Sequence, residues 1–171
     1  IVVHPSVPAN SLAELVAVAK AAPKPLNYAA GNTYAFVSMA MLAMRNKIEL
    51  EAIRYKSLPD AIADLLSGRV QVMNGTATSV AAHVKAGKLK ALVTMLDVRS
   101  PLMPDLPTII EAGQSKFPIV PWFALVGPAD LPAEIVATMN KAMAAALAKP
   151  SVKEQVERHG FLPKSSTPAV L

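Results

Sequence analysis

The chain has 171 residues, of which 53% are hydrophobic, and it contains no cysteine. That length and composition fill one buried core of ordinary size and exclude a disordered chain, while the lack of cysteine excludes disulfides, thiolate nucleophiles and zinc–thiolate sites. The net charge of +5 is a modest bias toward anionic partners. Basic residues dispersed without an aromatic ladder argue against the binding of nucleic acid.

The first part of the chain alternates between short apolar strands and helices. The predicted strands are 1–3, 26–29, 51–55, 70–73 and 91–96, and the predicted helices are 12–21, 33–45, 59–66 and 78–87. Ser11 and Glu14 have the spacing of a capping box at the first helix, and Gly68 is a typical residue to end the third. Repeated β–α–β units of this length predict an α/β fold, with a largely parallel sheet and helices on both faces.

A proline-rich segment follows Arg99 and is the predicted domain boundary. A short helix at 108–112, closed by Gly113, interrupts it, and a strand at 120–126 ends it. Two helices, 133–148 and 151–159, complete the chain. We therefore predict one unit at 1–118 and a C-terminal segment at 119–171 that belongs with something else.

The most informative segment is the turn Gly31-Asn32-Thr33-Tyr34, which links a short strand to a helix without charged residues up to Met44. The start of a buried helix offers unpaired N–H groups and a partial positive charge, which suit a carboxylate or a phosphate. The alternative interpretation is that Asn32 or Thr33 only caps the helix, which is the more common role of such residues.

Two other turns carry candidate residues. Asn74 and Thr76 follow the strand at 70–73, and ligands of open α/β sheets gather at the carboxyl ends of parallel strands. A turn without function explains them equally well. Lys56 follows another strand and could attract an acid, although lone lysines at strand ends are usually solvated.

No enzyme signature is present in the sequence. It lacks the G-x-S-x-G elbow, the P-loop and the G-x-G-x-x-G fingerprint, so no residue is assigned a catalytic role. His4, His83 and His159 are far apart and lack the spacing of a helical metal pair, so we predict neither a metal nor a cofactor. No uncharged run is long and apolar enough to insert into a membrane, and nothing in these residues resembles a signal peptide.

Several short motifs follow one another in a recognisable order. They are Leu26-Asn27-Tyr28-Ala29 with Gly31-Asn32-Thr33, Arg54-Tyr55-Lys56, the runs 61–70 and 83–92, Arg99-Ser100, the run 104–108, Glu111-Ala112-Gly113, Pro121-Trp122 and Gly127-Pro128-Ala129. Together they resemble the tripartite tricarboxylate transporter substrate receptors, also called the Bug family of periplasmic solute-binding proteins. The resemblance implies two α/β lobes of the type II periplasmic-binding-protein kind around a ligand cleft. It also implies that this chain is the C-terminal part, with the N-terminal lobe absent.

The resemblance also implies which residues bind the ligand. They are Gly31, Asn32, Thr33, Tyr34, Lys56, Asn74, Thr76 and Trp122. Trp122 fits a hinge-packing role slightly better than a ligand contact, and Tyr34 stands where similar sequences have a small residue. Many relatives have a carboxylate at the position of Gly75, whose absence here argues against a ligand amine. We expect main-chain amides and ordered water to hold the acid, with few arginine or lysine contacts.

The implied function is that of a periplasmic receptor, which binds a small organic acid between its lobes and delivers it to membrane permease subunits. A ligand sensor for a signalling partner is the alternative, and an enzyme of unrecognised class is a less favoured one. Since half a cleft lacks the contacts of the other lobe, we expect this chain alone to bind weakly or not at all. Its C-terminal helices would self-associate with a neighbouring copy or be mobile.

Overall fold

The computed structural model describes residues 1–119, 123–158 and 161–170. The chain divides into two compact units, 1–121 and 122–171, and each unit is described by itself below.

The first unit is built on a mixed five-stranded sheet with the strand order β3-β2-β4-β1-β5. The strands are β1 (Val2–Val3), β2 (Leu26–Ala30), β3 (Leu50–Arg54), β4 (Val72–Met73) and β5 (Lys90–Ala91). β2 is parallel to both β3 and β4, whereas β1 is antiparallel to β4 and to β5. Four strands therefore run in one direction and β1 runs in the other, which confirms the predicted α/β fold with a largely parallel sheet.

Four helices cover the two faces of this sheet. They are α1 (Leu12–Ala21), α2 (Thr33–Asn46), α3 (Leu58–Leu66) and α4 (Ala77–Lys85). Successive strand residues point to opposite faces, so Val3 packs in a cluster with α1 and α2, and Val2 packs in another with α3 and α4. The predicted arrangement of helices on both faces is confirmed.

Side-chain caps fix where these helices begin. The Ser11 hydroxyl accepts from the Glu14 amide at 3.1 Å, and Ser57 does the same for the Asp60 amide at 3.3 Å. The Glu14 carboxylate returns to the Asn10 amide at 2.7 Å, one residue before the position expected of a capping box. These bonds satisfy amides that have no partner inside a helix.

Two side chains at the end of α2 hold the segment 114–117 against this helix. The Arg45 guanidinium lies 4.3 Å from the centre of the buried Phe117 ring and donates to the Ser115 and Lys116 carbonyls at 2.9 and 3.3 Å. The side-chain amides of Asn46 and Gln114 exchange hydrogen bonds of 3.2 and 3.0 Å. The core therefore continues to Phe117 although no helix or strand is present there.

The predicted helix at 108–112 is wrong, because this segment forms consecutive turns. Thr108 and Glu111 make a reciprocal capping box, with bonds of 2.8 and 3.1 Å. The Ala112 amide then bonds the Thr108 carbonyl, but Gly113 adopts a left-handed φ of +80° and closes the turn at once. The segment ends before a second helical turn can form.

Two predicted strands are also corrected. The strand at 91–96 is observed only as Lys90–Ala91, since beyond it the chain makes single bonds such as that from the Leu92 amide to the Ile1 carbonyl. Residues 123–126 of the strand predicted at 120–126 form no strand and are exposed. Within the described chain they have no neighbouring strand to pair with. The rest of that prediction, at 120–122, lies outside the described residues.

The second unit contains α5 (Ala133–Ala148) and α6 (Pro150–Arg158), followed by a 3-10 turn at Pro168–Val170. The two helices confirm the predictions at 133–148 and 151–158, while His159 lies outside the described residues. The Asn140 side chain donates to the Ser166 carbonyl at 2.8 Å and ties the C-terminal stretch to α5. None of the residues of α5 is buried, and Ile135, Met139 and Met143 lie exposed one turn apart along it.

No helix in the described part of the chain is both long enough and apolar enough to span a membrane.

Candidate functional site

The carboxyl ends of β2, β3 and β4 meet at one edge of the sheet. Ala30 at the end of β2 pairs with Arg54 at the end of β3, and Ala29 pairs with Met73 at the end of β4. The turns that leave these three strands therefore lie side by side, and we call this place the carboxyl edge. It contains all the predicted site residues that the structure describes, namely Gly31, Asn32, Thr33, Tyr34, Lys56, Asn74 and Thr76. Trp122, the remaining predicted site residue, lies outside the described residues.

Three helices begin at this edge, since α2, α3 and α4 each follow one of these strands. The positive ends of their dipoles therefore lie together. No acidic residue is present in the first turn of α2 or α4. Thr76 precedes α4 without a side-chain cap, so the first amides of that helix have no side-chain acceptor. The arrangement favours an anion.

The turn before α2 combines a cap with free donors. The Asn32 side chain accepts from the Ala35 amide at 2.8 Å, so its oxygen is already used in capping. For Asn32, but not for Thr33, this supports the alternative interpretation that the residue only caps the helix. Thr33 is exposed, and its hydroxyl makes no hydrogen bond within the described ranges. The Thr33 hydroxyl and the first-turn amides of Thr33 and Tyr34 remain available to a carboxylate.

Gly31 lets this turn approach α3 closely. A Cβ atom at this position would lie 3.2 Å from Leu58 Cδ1 and 3.5 Å from Ala61 Cβ. A Cβ atom there would require the Leu58 side chain to shift slightly, so glycine allows the turn to approach α3 closely.

A buried polar chain joins the turn after β4 to α2. Asn74 donates to the Ser38 hydroxyl at 2.7 Å, and Ser38 donates to the Ala35 carbonyl at 3.2 Å. Burial raises the pKa of Tyr34, and the neighbouring side chain of Asn74 opposes that rise. The phenol of Tyr34 therefore stays neutral at the carboxyl edge.

The turn around Gly75 leaves no room for a side chain. A Cβ atom there would lie 2.7 Å from Cγ1 of Val80, which is buried. The carboxylate that we expected in many relatives at this position therefore does not fit this turn unless Val80 moves. Thr76 is exposed and donates to the Ser79 hydroxyl at 2.9 Å.

The two residues that follow β3 behave differently from each other. Lys56 is exposed and has no ion-pair or hydrogen-bond partner within the described chain, so its charge is open to solvent. The Tyr55 hydroxyl donates to Asp64 at 2.9 Å, and Asp64 also binds Arg69 at 3.0 Å. Burial and the neighbouring Asp64 carboxylate raise the pKa of Tyr55 to about 12. Tyr55 is thus part of a structural network, and Lys56 keeps the candidate role.

Arg54, which sequence reasoning did not select, also lies at the carboxyl edge, at the end of β3. Its guanidinium lies over the ring of Phe36, 4.0 Å from the centre of that ring. Arg54 lies on the same face of β3 as Leu50 and Ala52, which pack against the cluster with α1 and α2. A basic residue at the last position of a strand, on the same face as apolar residues, is the sequence signal that could have identified Arg54.

No group of three or more histidine and acidic side chains suited to a metal occurs in the described ranges. Beside the carboxyl edge, an open groove of about 390 Å³ runs between α3 and α4, lined by Leu58, Pro59, Ile62, Ala63, Leu66, Ser79 and His83. Its lining is mainly apolar and carries no lysine or arginine. The groove therefore offers an acid fewer donors than the edge does.

Known proteins give a consistent picture. The model of the family described as "Tripartite tricarboxylate transporter family receptor" matches residues 1–167. The UPF0065 protein of the tcbD–tcbE intergenic region of Pseudomonas sp. (strain P51) is 33% identical to this chain over 173 residues. That alignment covers 96% of this chain and 51% of the relative, so the chain spans about half the length of the curated relatives it matches.

Solved structures agree in fold over nearly the whole chain. The R. palustris protein Rpa4515, solved with adipate, is 27% identical to this chain with a TM-score of 0.88 and covers 99% of it. The periplasmic binding protein BugD is also 27% identical, with a TM-score of 0.82 and 98% coverage. In each case the match takes up 57% of the solved chain. This is consistent with one lobe of a larger fold.

Proposed function

Because the chain belongs to the tripartite tricarboxylate transporter receptor family, we propose that it is part of a receptor that binds a small organic acid at the carboxyl edge. The resemblance inferred from the motifs is confirmed, and the description of the family as a receptor confirms a binding protein rather than an enzyme. We refer below to the protein of the relatives' length that contains this chain as the intact receptor.

The observation that carries the proposal is the convergence of three helix starts on one edge of the sheet. Free amides of Thr33 and Tyr34 and the unbonded Thr33 hydroxyl lie there without any first-turn acid on α2. A carboxylate at this place would accept several hydrogen bonds and would need no basic side chain to fix it. The adipate named for the R. palustris relative is an acid of the expected class.

The intact receptor would bind its ligand by closing two lobes. Residues 1–118 would form the second lobe, and residues 119–171 would cross back to a first lobe that supplies the other wall. The coverage of about half of the curated relatives supports a receptor that is longer than this chain. A ligand that contacts both lobes stabilises the closed form, because its affinity for that form is higher.

The receptor would act in the periplasm and hand its ligand to membrane permease subunits. BugD, which shares the fold, is a periplasmic binding protein. The description of the family names a tripartite tricarboxylate transporter. Genes for permease subunits beside the gene of this chain would support transport. A sensor kinase gene in that place would support signalling instead.

A thermal-shift panel of organic acids on the intact receptor tests the proposal. We expect at least one small mono-, di- or tricarboxylate to raise the melting temperature in a concentration-dependent way, because a ligand that binds only the folded state stabilises it. Matched amides and alcohols of the same carbon skeletons are the controls and should not do so. A panel in which no acid exceeds its amide control would contradict the function.

The isolated 171-residue chain should behave differently. It lacks the wall of the cleft that the first lobe would supply, so we expect no measurable binding of an acid that the intact receptor binds. The exposed stripe of Ile135, Met139 and Met143 on α5 would drive its self-association. Sedimentation velocity of the chain with Met139→Glu, compared with the unmodified chain, tests this: a monomer in both cases would exclude association through α5.

A further inference from the structure

Among the described residues of the carboxyl edge, Arg54 is the cation that an aromatic side chain holds in position. Its guanidinium lies 4.0 Å from the centre of the Phe36 ring. Stacking of this kind restrains the long side chain but leaves the N–H donors in the plane of the guanidinium uncovered. Phe36 is partly buried against the core, so the ring on which Arg54 stacks is itself fixed.

The donors of Arg54 are not used elsewhere. Among the described residues, the ion pairs join Arg69 to Asp64, Arg99 to Glu111 and Lys116 to Asp97, and none involves Arg54. Arg54 is exposed and donates no hydrogen bond within the described chain. A restrained guanidinium with all its donors free is prepared for an anion from outside.

The position of Arg54 fits the second end of a ligand. The Phe36 amide bonds the Asn32 carbonyl at 3.1 Å, so Phe36 lies one helical turn, about 5.4 Å, beyond the start of α2. Long side chains on a helix lean toward its N-terminus. Arg54 is also the strand partner of Ala30, the residue directly before the turn. Arg54 and the start of α2 are therefore neighbours at the carboxyl edge.

We propose that Arg54 determines ligand specificity by binding the second anionic group of a doubly charged acid whose first carboxylate lies on the amides at the start of α2. The inference rests on the proposed function and adds one cationic contact at the far end of the ligand. It makes short dicarboxylates, rather than monocarboxylates or amino acids, the ligand class of this receptor.

Calorimetry on the intact receptor tests the proposal with pairs of acids of equal chain length. The probes are succinate with butanoate, glutarate with pentanoate, and adipate with hexanoate. We expect one dicarboxylate to bind at least tenfold more tightly than its partner. Arg54→Gln should abolish that preference and leave the affinity for the monocarboxylate unchanged. Lys88→Gln removes the same charge from an exposed site before β5, at the opposite edge, and should change neither affinity.

Two further variants separate binding from folding. Arg54→Lys keeps the positive charge but loses the planar guanidinium. Phe36→Leu keeps the apolar packing but removes the ring on which Arg54 stacks. Each variant should therefore retain only part of the preference for the dicarboxylate. Melting temperatures without ligand check that all variants fold. An Arg54→Gln variant that loses both affinities equally, or neither, overturns the role of Arg54. If the unmodified receptor binds monocarboxylates and dicarboxylates equally well, the role is overturned but the function is not. If it binds no acid, both are overturned.

Discussion

Asn74 donates its side-chain amide to the hydroxyl of Ser38 over 2.7 Å, and both residues are buried. This bond connects the turn after β4 to the first half of α2, two segments that are far apart in the sequence. The pair therefore holds the turn after β4 against α2 at the carboxyl edge.

Ser38→Ala should lower the free energy of unfolding by about 1–3 kcal/mol, because it leaves the buried amide of Asn74 without its acceptor. Urea denaturation of the chain measures this. Ser67→Ala removes an exposed hydroxyl that bonds the Asp64 carbonyl, and it should cost no more than about 0.5 kcal/mol. Equal costs for the two variants would show that the buried pair is not a special support.

Thr33→Val should weaken the binding of an acid by roughly tenfold in the intact receptor, because it removes one hydrogen bond to a charged group and keeps the branched shape. Thr33→Ser retains the hydroxyl and should bind nearly as well as the unmodified receptor. Calorimetry with the best acid of the panel measures both. Unchanged affinity in Thr33→Val would count against the assignment of this turn.

Gly75→Ala should destabilise the chain by about 1–3 kcal/mol, since its Cβ would lie 2.7 Å from Val80 Cγ1 in a filled core. Removing the obstructing methyl groups provides the control. In a Val80→Ala background the same substitution should cost clearly less, and a double-mutant cycle from urea denaturation measures the difference. Purely additive costs would mean that the two side chains do not collide.

Much of the fold was predictable because local rules and tertiary packing agree. Ser11 and Ser57 cap their helices, and apolar runs such as 26–30 became central strands of the sheet. The turns at 108–113 could not be foreseen, because the capping box of Thr108 and Glu111 is a helix signal that a nearby glycine overrides. The strand predicted at 91–96 was wrong in length, because the length of a strand depends on which neighbouring strands it can pair with.

The candidate site was predictable by position but not by contact. Turns after parallel strands meet at one edge by geometry, so Asn32, Lys56 and Asn74 could be grouped from the sequence. The sequence did not reveal that Asn74 is bonded to Ser38, nor that Arg54 stacks on Phe36. Both contacts join side chains from different elements, and only the register of the sheet brings them together.

A crystal structure of the intact receptor with the acid that stabilises it most tests the proposed site directly. We expect one carboxylate of the ligand within hydrogen-bond distance of the amides of Thr33 and Tyr34, at the carboxyl edge. A ligand bound away from this edge, or one whose carboxylate at this turn is held by a bidentate arginine instead of the main chain, would contradict it.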